Sequence, residues 1–265
     1  MSLRLPVSPV LTVLLLAACG GEGTWVLETW GEAFIEEGMG MDVFADGCQA
    51  TYDRFLVSTR DRRLLASADA DARVVAELSG VEVHDVVRPG PTEMASVTAE
   101  AGTWRTFTLT VAPADADAVA GNADAADLDD MKARGASILA SGTLTCPSGS
   151  VTFDWALRGT TTYACDPTNL VVPAGGEART QFTVHGDHLF YDSLFDPDAE
   201  VRGEALVAAD ADADGVVTEA ELASAPVAAT GYTVGAADVT DLWGYLQEAS
   251  RTVGHVDGEG HCAVR

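Results

Sequence analysis

Residues 210–221 read DADADGVVTEAE, and no other stretch restricts the fold of this chain so tightly. Carboxylates stand first, third and fifth in the twelve: Asp210, Asp212 and Asp214. Gly215 is sixth, where the chain must turn sharply and a residue without Cβ does so at least cost. Val216, seventh, offers its backbone carbonyl. Thr218, ninth, offers a hydroxyl or a bridging water, and Glu221, twelfth, can reach back with both carboxylate oxygens. Such a ring of hard oxygens suits Ca²⁺, which takes about six to eight of them. Two other Ala/Asp runs, 68–72 and 114–118, lack the glycine and the glutamate and read as solvated loops.

The loop has the spacing of an EF-hand and so predicts a helix on either side. Asp196 and Pro197 suit a helix start, and Val201, Ala205 and Ala208 recur at helical spacing before the loop. The exit helix begins at Glu219 and stops before Pro226. A further amphipathic helix is expected over 238–250, with Leu242, Trp243 and Leu246 on one face. EF-hands usually come in pairs, yet no second complete loop is present. Val217, the eighth residue, therefore needs some other partner, such as a strand of the preceding region. Residues 254–265 read as a Gly-rich irregular tail.

Upstream, 24–184 is punctuated by Gly and Pro between short runs rich in aromatic and β-branched residues. Strands are expected over 25–30, 49–59, 73–78, 81–87, 104–111, 137–145, 150–157, 160–164, 171–173 and 179–184. One helix is expected over 125–134, with a helical turn at 33–37. The fold class predicted is mainly β with a C-terminal α part: an antiparallel β-sandwich over 24–185, then a single EF-hand helix-loop-helix and one further helix over 186–265. Trp25, Trp30, Trp104 and Trp155 are expected to pack on strands.

The first residues have the pattern of an export leader. Arg4 precedes an apolar run from Val7 to Ala18, too short to span a bilayer at about 1.5 Å per residue. The run closes on Leu16-Ala17-Ala18-Cys19, which resembles a bacterial lipobox. That resemblance implies a signal peptide over 1–18, a lipid anchor on Cys19, a tether over 19–23 and an outer-membrane destination. Four cysteines remain: Cys48, Cys146, Cys165 and Cys262. An even number in an exported chain suggests two disulfides with three possible connectivities. Cys146 and Cys165 flank an apparent hairpin and could pair, leaving Cys48 for Cys262.

The chain has 265 residues and a net charge of −26, which argues against nucleic acid, whose phosphates it would repel. Of five histidines, His185 and His188 flank Asp187 in one short segment, and His255 and His261 lie near Asp257, Glu259 and Cys262. Together His185, Asp187, His188, His255 and His261 could hold a transition metal, Zn²⁺ or Cu²⁺, if the tail folds back on Gly186. A disulfide at Cys262 could enforce that. Alternatively, these side chains only make hydrogen bonds and turn caps. His84 sits on an expected strand and reads as structural.

Scattered blocks resemble myxobacterial-type cell-envelope lipoproteins with a β-rich N-terminal region and a C-terminal EF-hand. The blocks are ETWGEAFIEEG (28–38), TYDRFLVS (51–58), VHGDHLFYDSL (184–194), the acidic loop, and GHVDGEGHC (254–262). The resemblance implies export and Ca²⁺ binding but no reaction. No Gly-x-Ser-x-Gly, phosphate-cradling glycine loop or His-Glu-x-x-His is present. The expectation is a non-enzymatic, lipid-anchored Ca²⁺-binding protein of the cell envelope, with a Zn²⁺/Cu²⁺-binding protein as the alternative.

Overall fold

The computed structural model describes residues 20–69, 71–167 and 170–265. The expected signal peptide and Cys19 lie outside the described residues. Among those described, the strands are β1 (Glu22–Trp30), β2 (Gln49–Leu65), β3 (Val74–Leu78), β4 (Glu82–Asp85), β5 (Thr92–Glu100), β6 (Gly102–Trp104), β7 (Thr106–Val111), β8 (Val119–Ala120), β9 (Ile138–Cys146), β10 (Gly149–Leu157), β11 (Thr161–Cys165), β12 (Leu170–Val172), β13 (Glu177–Val184), β14 (Val216–Val217), β15 (Gly254–Val256) and β16 (Gly260–Val264). Five short helices accompany them: α1 (Glu32–Glu36), α2 (Ala125–Arg134), α3 (Glu204–Val207), α4 (Glu219–Ser224) and α5 (Leu242–Ala249). The fold is mainly β with a small α part. No helix among the described residues is long and apolar enough to cross a membrane.

Fourteen strands form one sheet, whose main path runs β14-β10-β9-β2-β7-β11-β16-β15-β13-β1-β5. It differs from two separate antiparallel layers in two ways. The hydrogen-bonded path is continuous, and β1 pairs with β13 in parallel. The sheet curls on itself, so that Trp25 on β1 lies 6.3 Å from Phe107 on β7. Both rings are fully buried, as are Phe55, Trp155, Phe182 and Phe190 in the same core. β2 runs through this curl for 17 residues. Its register shifts between Tyr52 and Arg54 and again between Arg60 and Arg63. Bulges of this kind bend and twist a strand, and β2 changes neighbour from β9 to β7 along its length.

β2 also carries a buried charge. Arg62 is wholly inaccessible and donates to Glu82 at 2.7 Å and to the carbonyl of Ser79 at 3.0 Å. Burial alone would raise the Glu82 carboxyl, but hydrogen bonds from His84 and Arg62 outweigh it and hold the pKa down at about 2. His84 is thus structural, as expected.

Several sequence expectations change. The strand β5 was not foreseen. The helix expected from Asp196 is absent there; the Asp196 carboxylate instead accepts from the Asp198 amide. The helix before the acidic loop is only α3, whose start is capped from a distance by Asp46, accepting from the Gly203 and Glu204 amides at 2.8 and 2.9 Å. The disulfides are Cys48–Cys146 and Cys165–Cys262. Cys146 ends β9 and Cys165 ends β11, and β2 and β7 lie between those strands, which keeps the two apart. Cys165 and Cys262 are instead direct cross-strand neighbours.

The expected irregular tail is a hairpin. Asp257 and Gly258 both have positive φ, +49° and +88°. An Asp-Gly pair between extended segments is a strong hairpin signal, because both residues tolerate the left-handed region. The tail was therefore legible as β15 and β16. β15 pairs with β13 and β16 with β11, closing the gap between the two halves of the sheet.

Candidate metal centre

The tail hairpin brings distant histidines together. β13 ends at Val184, and the chain passes through His185 into a 3₁₀ turn over Gly186–Phe190 that carries Asp187 and His188. Thr183 on β13 faces His255 on β15, which faces His261 on β16. His185, His188 and His255 are all buried, at 7%, 8% and 3% exposure. One ligand nitrogen from each lies within 4.8 Å of the others. The His185 and His255 rings stack at 3.9 Å, and His188 stands edge-on to His255 at 4.9 Å. Bonds of about 2.0–2.1 Å to a tetrahedral ion would need nitrogens roughly 3.4 Å apart.

Two glycines let the chain pass. A Cβ on Gly186 would meet Ile35 at 2.7 Å and Tyr52 at 2.8 Å. One on Gly254 would meet the Tyr163 ring at 2.5 Å. Each glycine adjoins a histidine of the centre, so both turns of backbone sit tight on aromatic packing.

Hydrogen bonds fix the ring of His188. Its Nδ1 lies 2.9 Å from Thr252 Oγ1. The Thr252 hydroxyl already donates to the Ala249 carbonyl at 2.8 Å, so it accepts from His188 Nδ1–H. That tautomer leaves the lone pair on Nε2, the arrangement in which a metal-binding imidazole is oriented by an outer partner. Burial, followed by the neighbouring His185 and His261 imidazoles, lowers the His188 pKa to about 4 against the opposing Asp187 carboxylate. Burial and the His185, His188 and His261 rings lower His255 to about 3. Both rings are neutral at pH 7, the form that binds a metal.

Acidic groups surround the imidazoles. Glu32 has φ +55°, an uncommon conformation for a residue with Cβ, and its Oε2 stands 3.5 Å from His185 Nε2. Asp187 Oδ1 stands 4.0 Å from His185 Nδ1, while its other oxygen accepts from the Tyr191 hydroxyl at 2.9 Å. Burial raises the Glu32 carboxyl, the His185 ring opposes this, and Glu259 and Asp187 add to the rise. Glu32, His185 and Glu259 form a second group with ligand atoms within 4.8 Å. His185 Nε2, His255 Nδ1, Asp187 Oδ1 and Glu32 Oε1 are buried without a hydrogen-bond partner. Four orphaned polar atoms in one place are unusual, because each costs about 1–3 kcal/mol when left unpaired. His261 lies 4.9 Å from His255 but is exposed at the rim.

Sequence reading named His185, Asp187, His188, His255 and His261, and the fold places all five around one cleft. It missed Glu32, Tyr191 and Thr252. Glu32 lies far away in the chain and enters through a backbone conformation that no local pattern announces.

The acidic loop lies elsewhere, beyond β10. Asp210, Asp212 and Glu221 place carboxylate oxygens within 4.8 Å of one another. Glu221 accepts from the Thr218 amide at 2.9 Å and from Ala211 across the loop at 3.0 Å. Asp210 accepts from the Gly215 amide at 3.0 Å, and Gly215 has φ +83°. Asp214 turns to the Val216 amide at 2.8 Å, outside the convergent group. Val217 pairs with Phe153 of β10 in parallel, and its carbonyl accepts from Trp155 Nε1 at 3.2 Å. The strand partner sought for this residue is thus β10. Glu219 anchors the exit helix by accepting from the Ala156 amide at 3.1 Å and pairing with Arg158 at 3.1 Å.

Comparison of the chain with protein-family models, curated proteins and solved structures gives no match. The functional reading therefore rests on the chemistry of these two sites.

Proposed function

We propose that the protein binds a transition metal through His185, His188 and His255, with Zn²⁺ or Cu²⁺ as the ion. Imidazole donors suit both. One observation carries the reading: three buried imidazoles from two separate segments converge, and ring nitrogens and carboxylate oxygens among them lack any other partner. Three protein ligands beside an open cleft match a centre that keeps a position for water or an exchangeable ligand, whereas structural sites close with four. Elemental analysis of protein expressed with both metals tests it. One equivalent of Zn or Cu is expected, lost in His188→Ala; metal content equal in the two proteins rejects the reading.

A second reading concerns the acidic loop. Convergence of Asp210, Asp212 and Glu221, with Gly215 at positive φ, supports an EF-hand-like Ca²⁺ site in which Val216 and Thr218 add oxygens and Asp214 must swing inward. The ion acts structurally there, holding α3 and α4 against β10. Affinity in the range of about 10⁻⁴–10⁻³ M, as in extracellular modules, is expected. Titration calorimetry should show Ca²⁺ heat that Glu221→Gln removes; its absence from the unmodified protein sinks this reading.

Two long-range disulfides support an oxidising compartment, and with it the reading of an exported lipoprotein anchored to the outer membrane through Cys19. Mass spectrometry of the membrane-fraction protein should find a lipid-modified N-terminal Cys19, and an unmodified chain would dismiss the anchor.

A further inference from the structure

The metal centre lies in a cleft of about 520 Å³, within the roughly 300–1,000 Å³ of small-molecule sites. Its lining mixes two kinds of group. Four carboxylates line it, Glu32, Asp187, Asp196 and Glu259, and no Lys or Arg does so among the described residues. Phe34 and Phe195 line it too, exposed at 39% and 54%. Phe195 is seated on Gly235: a Cβ there would fall 2.0 Å from the ring, so the missing side chain makes its berth. Two exposed aromatic rings in the lining of a cleft that also holds four carboxylates are an apolar surface waiting for a partner group.

Resting on the metal reading above, we propose that the cleft takes a small organic cation: a metal-binding donor at the imidazoles, an apolar group against Phe34 and Phe195, and a positive charge among the carboxylates. The charge sum selects the class. Four carboxylates outweigh a divalent ion, so a second negative group on the ligand is repelled once its donor has reached the metal. An ammonium is attracted by the carboxylates and by the faces of the rings. Phosphate esters and dicarboxylates are disfavoured for the same reason.

Hydroxamates test this, because one head group chelates the metal while the tail varies. Binding is read from the visible spectrum of the cobalt(II)-loaded full chain. Acetohydroxamate reports on the head alone, 3-phenylpropanoyl hydroxamate adds a ring, phenylalanine hydroxamate adds ring and ammonium, and succinic monohydroxamate adds a carboxylate. The ring should tighten binding about tenfold over acetohydroxamate, the ammonium should tighten it again by about threefold or more, and the carboxylate should weaken it. Phe195→Ala should erase the gain from the ring and leave acetohydroxamate unchanged. If acetohydroxamate shifts the spectrum but ring and ammonium bring no gain, or the carboxylate binds best, the proposed ligand class is overturned and the metal reading stands. If the protein holds no cobalt, both fall.

Discussion

Thr252→Val isolates the tautomer of His188. Valine keeps the shape of the side chain but removes the oxygen 2.9 Å from His188 Nδ1. The imidazole then either keeps a proton on Nδ1 without its protein acceptor or moves it to Nε2, where it blocks the metal. A fully buried orphaned donor costs about 1–3 kcal/mol, and loss of an outer-shell partner typically weakens metal binding by roughly 10–100-fold. Thr252 is itself solvent-exposed, so water can replace part of the lost bond and the lower end applies. About a tenfold loss of zinc affinity, or about 1.4 kcal/mol, is the expected result. Competition against a chromophoric chelator at pH 7 measures it, with Thr252→Ser as the conservative control that should restore binding. If Thr252→Val binds zinc as tightly as the unmodified protein while His188→Ala does not bind, the assignment of Nε2 as ligand is refuted.

Glu82→Gln strands the buried Arg62 guanidinium and should destabilise the protein by about 3–5 kcal/mol in urea unfolding; a loss below about 1 kcal/mol would mean the charge has found another partner. In the unmodified protein the Glu82 carboxyl is held down at about 2, so its contribution is complete above the unfolded-state value near 4.5. It drains away as pH falls from there toward 2, and stability measured against pH in Glu82→Gln should lack that slope. Cys165→Ser with Cys262→Ser removes a cross-link spanning 97 residues, worth about 4–5 kcal/mol in the chain-entropy model. Because Cys262 lies on β16, which pairs with the strand that carries His255, metal affinity should fall with the melting temperature; a drop in melting temperature alone would show that the hairpin is held by other contacts. Gly254→Ala sets a methyl against Tyr163 at 2.5 Å and should lower both stability and metal content, whereas an unchanged protein would show that the ring can yield.

Much of the fold was legible. α2 occupies the residues expected for it, since an acidic start and Gly135 at φ +58° mark its two ends. Most strands fall where β-branched and aromatic runs placed them, because those patterns are local. Their pairing was less accessible: the parallel match of β1 to β13 and the continuous curl depend on contacts between segments far apart in the chain. The disulfides were misjudged for the same reason, as neighbours in sequence were given priority over neighbours in the sheet. The fold brings the named histidines to one cleft, but their convergence hung on the tail, where glycines at 254, 258 and 260 were taken for irregularity. Gly258 is a turn residue, and Gly254 is a close-packing one. Glu32 had no local sign at all.

The two-residue strand β14 is the only strand paired to the outer edge of β10 among the described residues. Open backbone donors and acceptors along such an edge are a template on which another chain can add. Whatever loosens the acidic loop, by chelation or by substitution at Glu221, uncovers that template at Thr152 and Phe153. The cation would then act as a safeguard against self-assembly, and its withdrawal should be visible first as growth in particle size, before any loss of secondary structure.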